Sequence, residues 1–191
     1  MTDPGLERCP RCLWQRRFCL CAQIPVVETR TRIVILRHQR ENHRSSNTGR
    51  LAHLALPNSV IVEHGGVGGP VEMPSLEGAW VVFPAGEPRD VAPVPPPAQL
   101  VILDATWSQA RRMFHRVDAL RGLPLLRLPD APAPAARLRS SPGYGMVSTI
   151  EAIARALRLV EGEAPAAALE ALFQVAVEKA VASGRLPVCA S

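Results

Sequence analysis

Apolar positions along the chain fall into short runs that alternate between two periods. TRIVILR (31–37) is β-branched and apolar and reads as a buried strand. SVIVE (59–63), AWVVFP (79–84) and QLVILD (99–104) read as further strands, the last being the clearest in the chain. LPLLRLP (123–129) reads as another, followed by a Pro-rich turn. Between them the period changes to that of a helix. TGRLAHLAL (48–56) predicts a short helix stopped by Pro57. A second helix starts at about Thr106, where Thr106 and Gln109 have capping-box spacing. Ala110, Met113, Phe114 and Val117 form its apolar stripe, while Arg111, Arg112, His115 and Arg116 face outward. Ser148 and Glu151 repeat the capping-box spacing ahead of Ile150, Ile153, Ala154, Leu157 and Val160. A last helix runs from about Pro165 to a stop at Gly184 and buries Leu169, Leu172, Phe173, Ala176 and Ala180. Strands alternating with helices predict an α/β fold with a mostly parallel sheet and helices on both faces.

The connections add little chemistry of their own. Residues 88–98 contain five prolines and are expected to form an extended connection. GGVGGP (65–70) lacks the lysine and the spacing of a phosphate loop. There is no internal repeat and no second full domain. The 191 residues suffice for one domain with a core, plus a small appendage, and 47% hydrophobic content excludes disorder. No run of about 18 apolar residues exists, and MTDPGLERCP at the start has no apolar signal core. The expectation is a soluble, cytoplasmic protein.

Charge changes the picture more than composition does. Residues 1–60 carry a net +6, residues 61–110 a net −5, residues 111–158 a net +6 and the rest −2. Two basic blocks flank an acidic one; if they meet in the fold, they attract polyanions. All but Lys179 of the 22 basic residues are Arg, whose planar fork suits phosphate and base edges. Arg scattered over a solvated surface would give the same totals.

Four of the five cysteines lie within the first 21 residues as C-x2-C-x6-C-x-C: Cys9, Cys12, Cys19 and Cys21. Two closely spaced pairs can place four thiolates around a tetrahedral ion, and zinc suits such a closed sulfur shell. An Fe–S cluster is the competing metal, and a disulfide pair needs an oxidising compartment. The ion's role is expected to be structural, because residues 1–26 have too little core to order themselves. Trp14 and Phe18 sit among Arg8, Arg11, Arg16 and Arg17, either as a base-stacking surface or as the module's own core. Residues 27–191 would form the main domain.

Asp104 ends the clearest strand just before a helix, where ligands bind in open α/β sheets. Thr106 is better placed to cap that helix, which leaves Asp104 without a structural reason. Trp107 in the first helical turn is equally suited to core packing and to stacking.

LDATWSQARRM (103–113) resembles the Asp-x-Thr-Trp signature of the DTW-domain family. RCPRCLWQRRFCLCAQIP (8–25) is similar to the family's cysteine module, and RHQRENHRSSNTGRLA (37–52) to its His-x-x-Glu…Asn-Thr-Gly segment. VVFPAGE (81–87) and VSTIEAIARAL (147–157) resemble two further motifs, in the same order. Gln39 departs from the family's Pro after the His, which bears on the local loop shape. The resemblance implies a knotted, SPOUT-like fold with S-adenosylmethionine as donor. It implies transfer of the 3-amino-3-carboxypropyl group to N3 of a tRNA uridine, with methylthioadenosine leaving.

On that resemblance Asp104, Thr106 and Trp107 are the candidate catalytic residues, Asp104 as general base or proton-accepting partner. The donor would lie against Phe83, Pro84, Ala85, Gly86 and Glu87, against Leu103, Asp104, Ala105 and Thr106, and against Met146, Val147, Ser148 and Thr149. Glu151 joins this set or only completes its capping box. Arg37, His38, Arg40, Arg44, Asn47 and Arg50 would hold RNA, with Arg111, Arg112 and Arg116 as a second basic line. The partners implied are tRNA and the donor, with no membrane, for a monomer or homodimer. Two other classes stay open: a same-fold RNA methyltransferase, and a non-catalytic zinc-ribbon RNA-binding protein.

Overall fold

QLVILD becomes the middle strand of a five-stranded sheet. A computed structural model of the chain describes residues 7–66, 72–130 and 147–184. The strands are β1 (Arg32–His38), β2 (Ser59–His64), β3 (Ala79–Val82), β4 (Gln99–Asp104) and β5 (Leu125–Leu126). Their order is β2-β1-β4-β3-β5 and every pairing is parallel. The helices are α1 (Thr48–Ala55), α2 (Trp107–Arg116), α3 (Thr149–Glu161) and α4 (Glu163–Ala182).

Side chains alternate across a strand, so β1 and β4 present two apolar faces. Ile33, Ile35, Leu100 and Ile102 pack with Leu51 and Ala55 of α1, Ile150, Ile153 and Leu157 of α3, and Leu169, Leu172 and Ala176 of α4. Val34, Leu36 and Val101 face the other way, with Val81 of β3 and with Met113 of α2 and the following Val117 and Leu120. Helices therefore cover both faces, as the pattern predicts. Each of these fully buried Ile and Leu side chains contributes about 1.5–3 kcal/mol.

Three boundaries differ from expectation, the first being the strand read over 79–84, which ends at Val82. The strand read over 123–129 shrinks to Leu125–Leu126. Pro124 and Pro129 bound it, and proline has no N–H to extend a ladder. The last helix begins at Glu163, with Pro165 inside its first turn, where the missing N–H costs nothing. It ends where expected, with Gly184 at φ +73° just beyond. The Pro-rich connection from β3 to β4 contains no helix and no strand, and it bends at several points.

The cysteine segment packs into the main core. Cys12, Trp14 and Leu20 belong to the same cluster as β1, β4, α3 and α4. Trp14 is 1% exposed and therefore a core residue, not a stacking platform. Arg17 lies over the Phe18 ring at 5.0 Å from its centre. From α4, Lys179 Nζ donates to Cys19 O at 2.7 Å and to Gln23 Oε1 at 3.0 Å. Among the described residues no helix is long and apolar enough to cross a membrane.

Candidate active site

The alternation that puts Ile33, Ile35, Leu100 and Ile102 under α1 and α3 continues to the carboxyl ends of β1 and β4. Two residues on, it places Arg37 and Asp104 on that same face, paired in register. There α1 and α3 begin. Asn47 caps α1, its Oδ1 accepting the Arg50 N–H at 2.6 Å. Its Nδ2 donates to Asp104 Oδ2 at 2.6 Å. Thr149, the first residue of α3, donates its hydroxyl to Asp104 Oδ1 at 2.7 Å. Between these bonds Thr48 Oγ1 accepts the Ile150 N–H at 3.4 Å, fastening the two helix starts to each other. A Cβ on Gly49 would lie 2.6 Å from both Cγ and Oδ2 of Asp104, so the carboxyl group occupies the space that a side chain would fill.

Asp104 thus has the structural role that the sequence hid. Thr106 does cap α2, its N–H donating to Gln109 Oε1 at 3.0 Å. Asp104 instead ties two helices to one strand, while only 2% exposed. Burial pushes its carboxyl above the usual value. The bonds from Asn47 and Thr149 oppose that rise, nearby Glu41 adds to it, and Arg37 opposes it.

The remaining donor candidates lie at the carboxyl ends of β3 and β4 and at the start of α3. Phe83–Glu87 follows β3 and Leu103–Thr106 covers the end of the adjacent parallel strand β4, so both segments lie at the same end of the sheet. Phe83 stacks on Phe114 of α2 with centroids 4.1 Å apart and rings 9° from parallel. Pro84, Gly86 and Glu87 are exposed and Ala85 is half-buried; Arg127 Nη1 donates to Gly86 O at 2.9 Å. Leu103, Ala105 and Trp107 are half-buried and Thr106 is exposed. Val147 and Ser148 are half-buried, whereas Met146 lies outside the described residues. Glu151 Oε2 accepts the Ser148 N–H at 2.7 Å, the capping-box contact that its spacing predicts.

Of the basic candidates, Arg40, Arg44, Arg111, Arg112 and Arg116 are exposed, and His38 and Arg50 are half-buried. Arg37 and Asn47 are interior, at 5% and 1% exposure. Arg37 donates its Nε to Glu63 Oε1 at 3.1 Å and its Nη2 to Asn42 Oδ1 at 3.0 Å. It therefore anchors the strand ends instead of lining the surface. Two residues at this edge are part of the His-x-x-Glu…Asn-Thr-Gly resemblance but had no role assigned from the sequence. Glu41 is buried beside Asp104, and Gly49 makes the close approach. The signals for the second were the Asn-Thr-Gly resemblance and a glycine in the first turn of a helix.

The cysteine cluster lies in the N-terminal segment. The Sγ atoms of Cys9, Cys12, Cys19 and Cys21 all lie within 4.8 Å of one another. Cys9–Cys21 and Cys12–Cys19 are 3.6 and 3.7 Å apart. A disulfide needs about 2.0 Å. A tetrahedral ion with bonds of about 2.3 Å places its sulfurs about 3.8 Å apart, which these spacings fit. Backbone hydrogen bonds, chiefly from Cys12, pull the Cys9 thiol down to about 6. Burial pushes those of Cys12 and Cys21 up. The four cysteines can hold a metal ion.

Comparison with known proteins bears on the chain as a whole. The DTW domain matches residues 6–181, nearly the whole chain. The chain belongs to the DTW-domain family. Curated proteins named tRNA-uridine aminocarboxypropyltransferase 2 from Macaca fascicularis and Mus musculus are 26% and 27% identical to this DTW domain. Those matches cover 84% and 80% of the chain but 59% and 56% of the relatives. A tRNA-uridine aminocarboxypropyltransferase A from Arabidopsis thaliana is 26% identical, covering 80% of the chain and 72% of that protein. The DTW chain thus spans less than three-fifths of the first two relatives' length. No solved structure matches it.

Proposed function

We propose that this DTW-domain protein transfers the 3-amino-3-carboxypropyl group of S-adenosylmethionine to N3 of a tRNA uridine. The observation that carries the reading is the meeting of three family segments, 37–52, 103–113 and 147–157, at one buried carboxylate. The names of the relatives support the reaction class.

A sulfonium donor brings its own leaving group, so the protein must mainly align nucleophile, carbon and sulfur. The uridine N3–H loses its proton, the N3–C bond forms, and the C–S bond breaks with its electron pair on sulfur. Methylthioadenosine then leaves as a neutral molecule. Asp104 is the proton-accepting partner in this reading. Burial raises its proton affinity, which is the direction that a base working near neutrality needs. Thr106 and Trp107 border the reacting groups. The donor lies against Phe83–Glu87, Leu103–Thr106 and Val147–Thr149, and the start of α3 favours its carboxylate. Arg40, Arg44, Arg50, Arg111, Arg112 and Arg116, with His38, hold the tRNA through phosphate contacts that weaken with salt. Zinc in the four-cysteine cluster serves as a structural staple. An all-parallel sheet covered on both faces is compatible with a knotted SPOUT-like path.

The test is mass spectrometry of tRNA nucleosides after incubation with the full chain and S-adenosylmethionine. Formation of 3-(3-amino-3-carboxypropyl)uridine with an equal amount of methylthioadenosine is the expected result. A methylated nucleoside with S-adenosylhomocysteine would replace the reading with a methyltransferase. Failure to bind the donor by calorimetry would reduce the protein to an RNA-binding module.

A further inference from the structure

The two donors on Asp104 carry an inference that rests on the reading just given. We propose that Asn47 and Thr149 are positioning residues: they hold the Asp104 carboxyl as an oriented carboxylate, in the space that Gly49 leaves open.

Each Asp104 oxygen accepts one short bond, Oδ2 from Asn47 at 2.6 Å and Oδ1 from Thr149 at 2.7 Å. An ionised carboxylate offers about four lone-pair directions, of which these donors use two. The donors come from different helices, and together they fix the plane of the group. Asn47 cannot turn its amide over. Its Oδ1 is held by the Arg50 N–H at 2.6 Å, so Nδ2 is the atom facing Asp104. A donor locked in that sense favours the ionised form, as do the positive ends of α1 and α3. Burial and Glu41 work against it. Arg37 of β1 and Arg50 of α1 work for it.

A purely structural role is separable from this one. Asn47→Ser and Asn47→Asp keep a good helix cap but remove the amide donor. Thr149→Val removes the hydroxyl at nearly constant shape, and Thr149→Ser restores it. The experiment follows the Asp104 carboxyl carbon by 13C NMR titration of the full chain, assigned by its loss in Asp104→Asn. Thr149→Val and Asn47→Ser are expected to raise its midpoint by about one pH unit or more. Asn47→Asp sets carboxylate against carboxylate and raises it further. Thr149→Ser should titrate like the parent. In the transfer assay the acid limb of kcat/KM moves up by the same amount, and kcat falls at least about tenfold while KM for tRNA holds. An unmoved midpoint in Thr149→Val and Asn47→Ser overturns the proposal, as does a Thr149→Ser midpoint shifted like that of the valine variant. Should the parent protein make no modified uridine, the transfer reading fails, and the carboxyl titration still decides the positioning role.

Discussion

Gly49 gives the sharpest check on the packing at Asp104. It is the second residue of α1 and its φ is not positive, so backbone conformation does not call for glycine. Helix propensity alone predicts that Gly49→Ala stabilises the protein, by up to about 1 kcal/mol. The structure predicts the opposite sign. The new methyl carbon would lie 2.6 Å from Asp104 Cγ and Oδ2 and 3.0 Å from Oδ1. Carbon atoms rest at about 3.5–4.0 Å, so roughly 1 Å of movement is needed. Asp104 is a short side chain at the end of the middle strand, and both of its oxygens are bonded. Moving it aside breaks at least one of those bonds, and a hydrogen bond to a charged group contributes about 1.5–3 kcal/mol. Losing one and loosening the other, less the propensity gain, leaves a net destabilisation of about 2–4 kcal/mol. For a chain of this size that lowers the Tm by roughly 5–15 °C. Urea unfolding followed by circular dichroism measures it. The same substitution placed on Asp104→Ala meets no carboxyl group and should recover a positive effect. A Gly49→Ala protein as stable as its parent would refute the close approach of α1 to Asp104 and the site built on it.

Three further outcomes follow from the same geometry. The unfolded Asp104 titrates near 3.8 and the folded one higher, so the folded state holds a proton that the unfolded state has released. Stability should therefore fall as pH rises from about 4 through the folded midpoint; Asp104→Asn should flatten that slope in denaturation curves, and a slope that survives counts against it. Because Cys12, Trp14 and Leu20 share the core of α3 and α4, a chelator or Cys12→Ser should lower the main unfolding transition itself; calorimetry that finds a separate early transition with the main one unmoved would contradict this. Arg111 and Arg116 are exposed, so Arg111→Glu with Arg116→Glu should change stability by less than about 1 kcal/mol while weakening tRNA binding and making its salt dependence shallower, and unchanged binding would remove α2 from the interface.

What the sequence made legible was whatever depends on near neighbours. QLVILD carries apolar side chains on both faces, which is what a covered middle strand of a parallel sheet shows. The cysteine cluster closes within a few turns of chain, so its spacing sufficed. Strand order was not legible, because placing β3 between β4 and β5 depends on contacts far along the chain. Arg37 misled for the same reason. An Arg at a strand end reads as exposed until its register opposite Glu63 is known. Asp104 is the clearest case. Asn47 and Thr149 lie 57 and 45 residues away in the chain. A capping Asn and a Thr at a helix start each have a complete local explanation, whereas the Asp at the strand end has none and so reads as a ligand-site candidate. Nothing local requires the same atoms to serve a second partner. The carboxylate acquires both donors only when α1 and α3 have docked on β4. Its environment is therefore a property of the finished fold, and small shifts of either helix start must register there first.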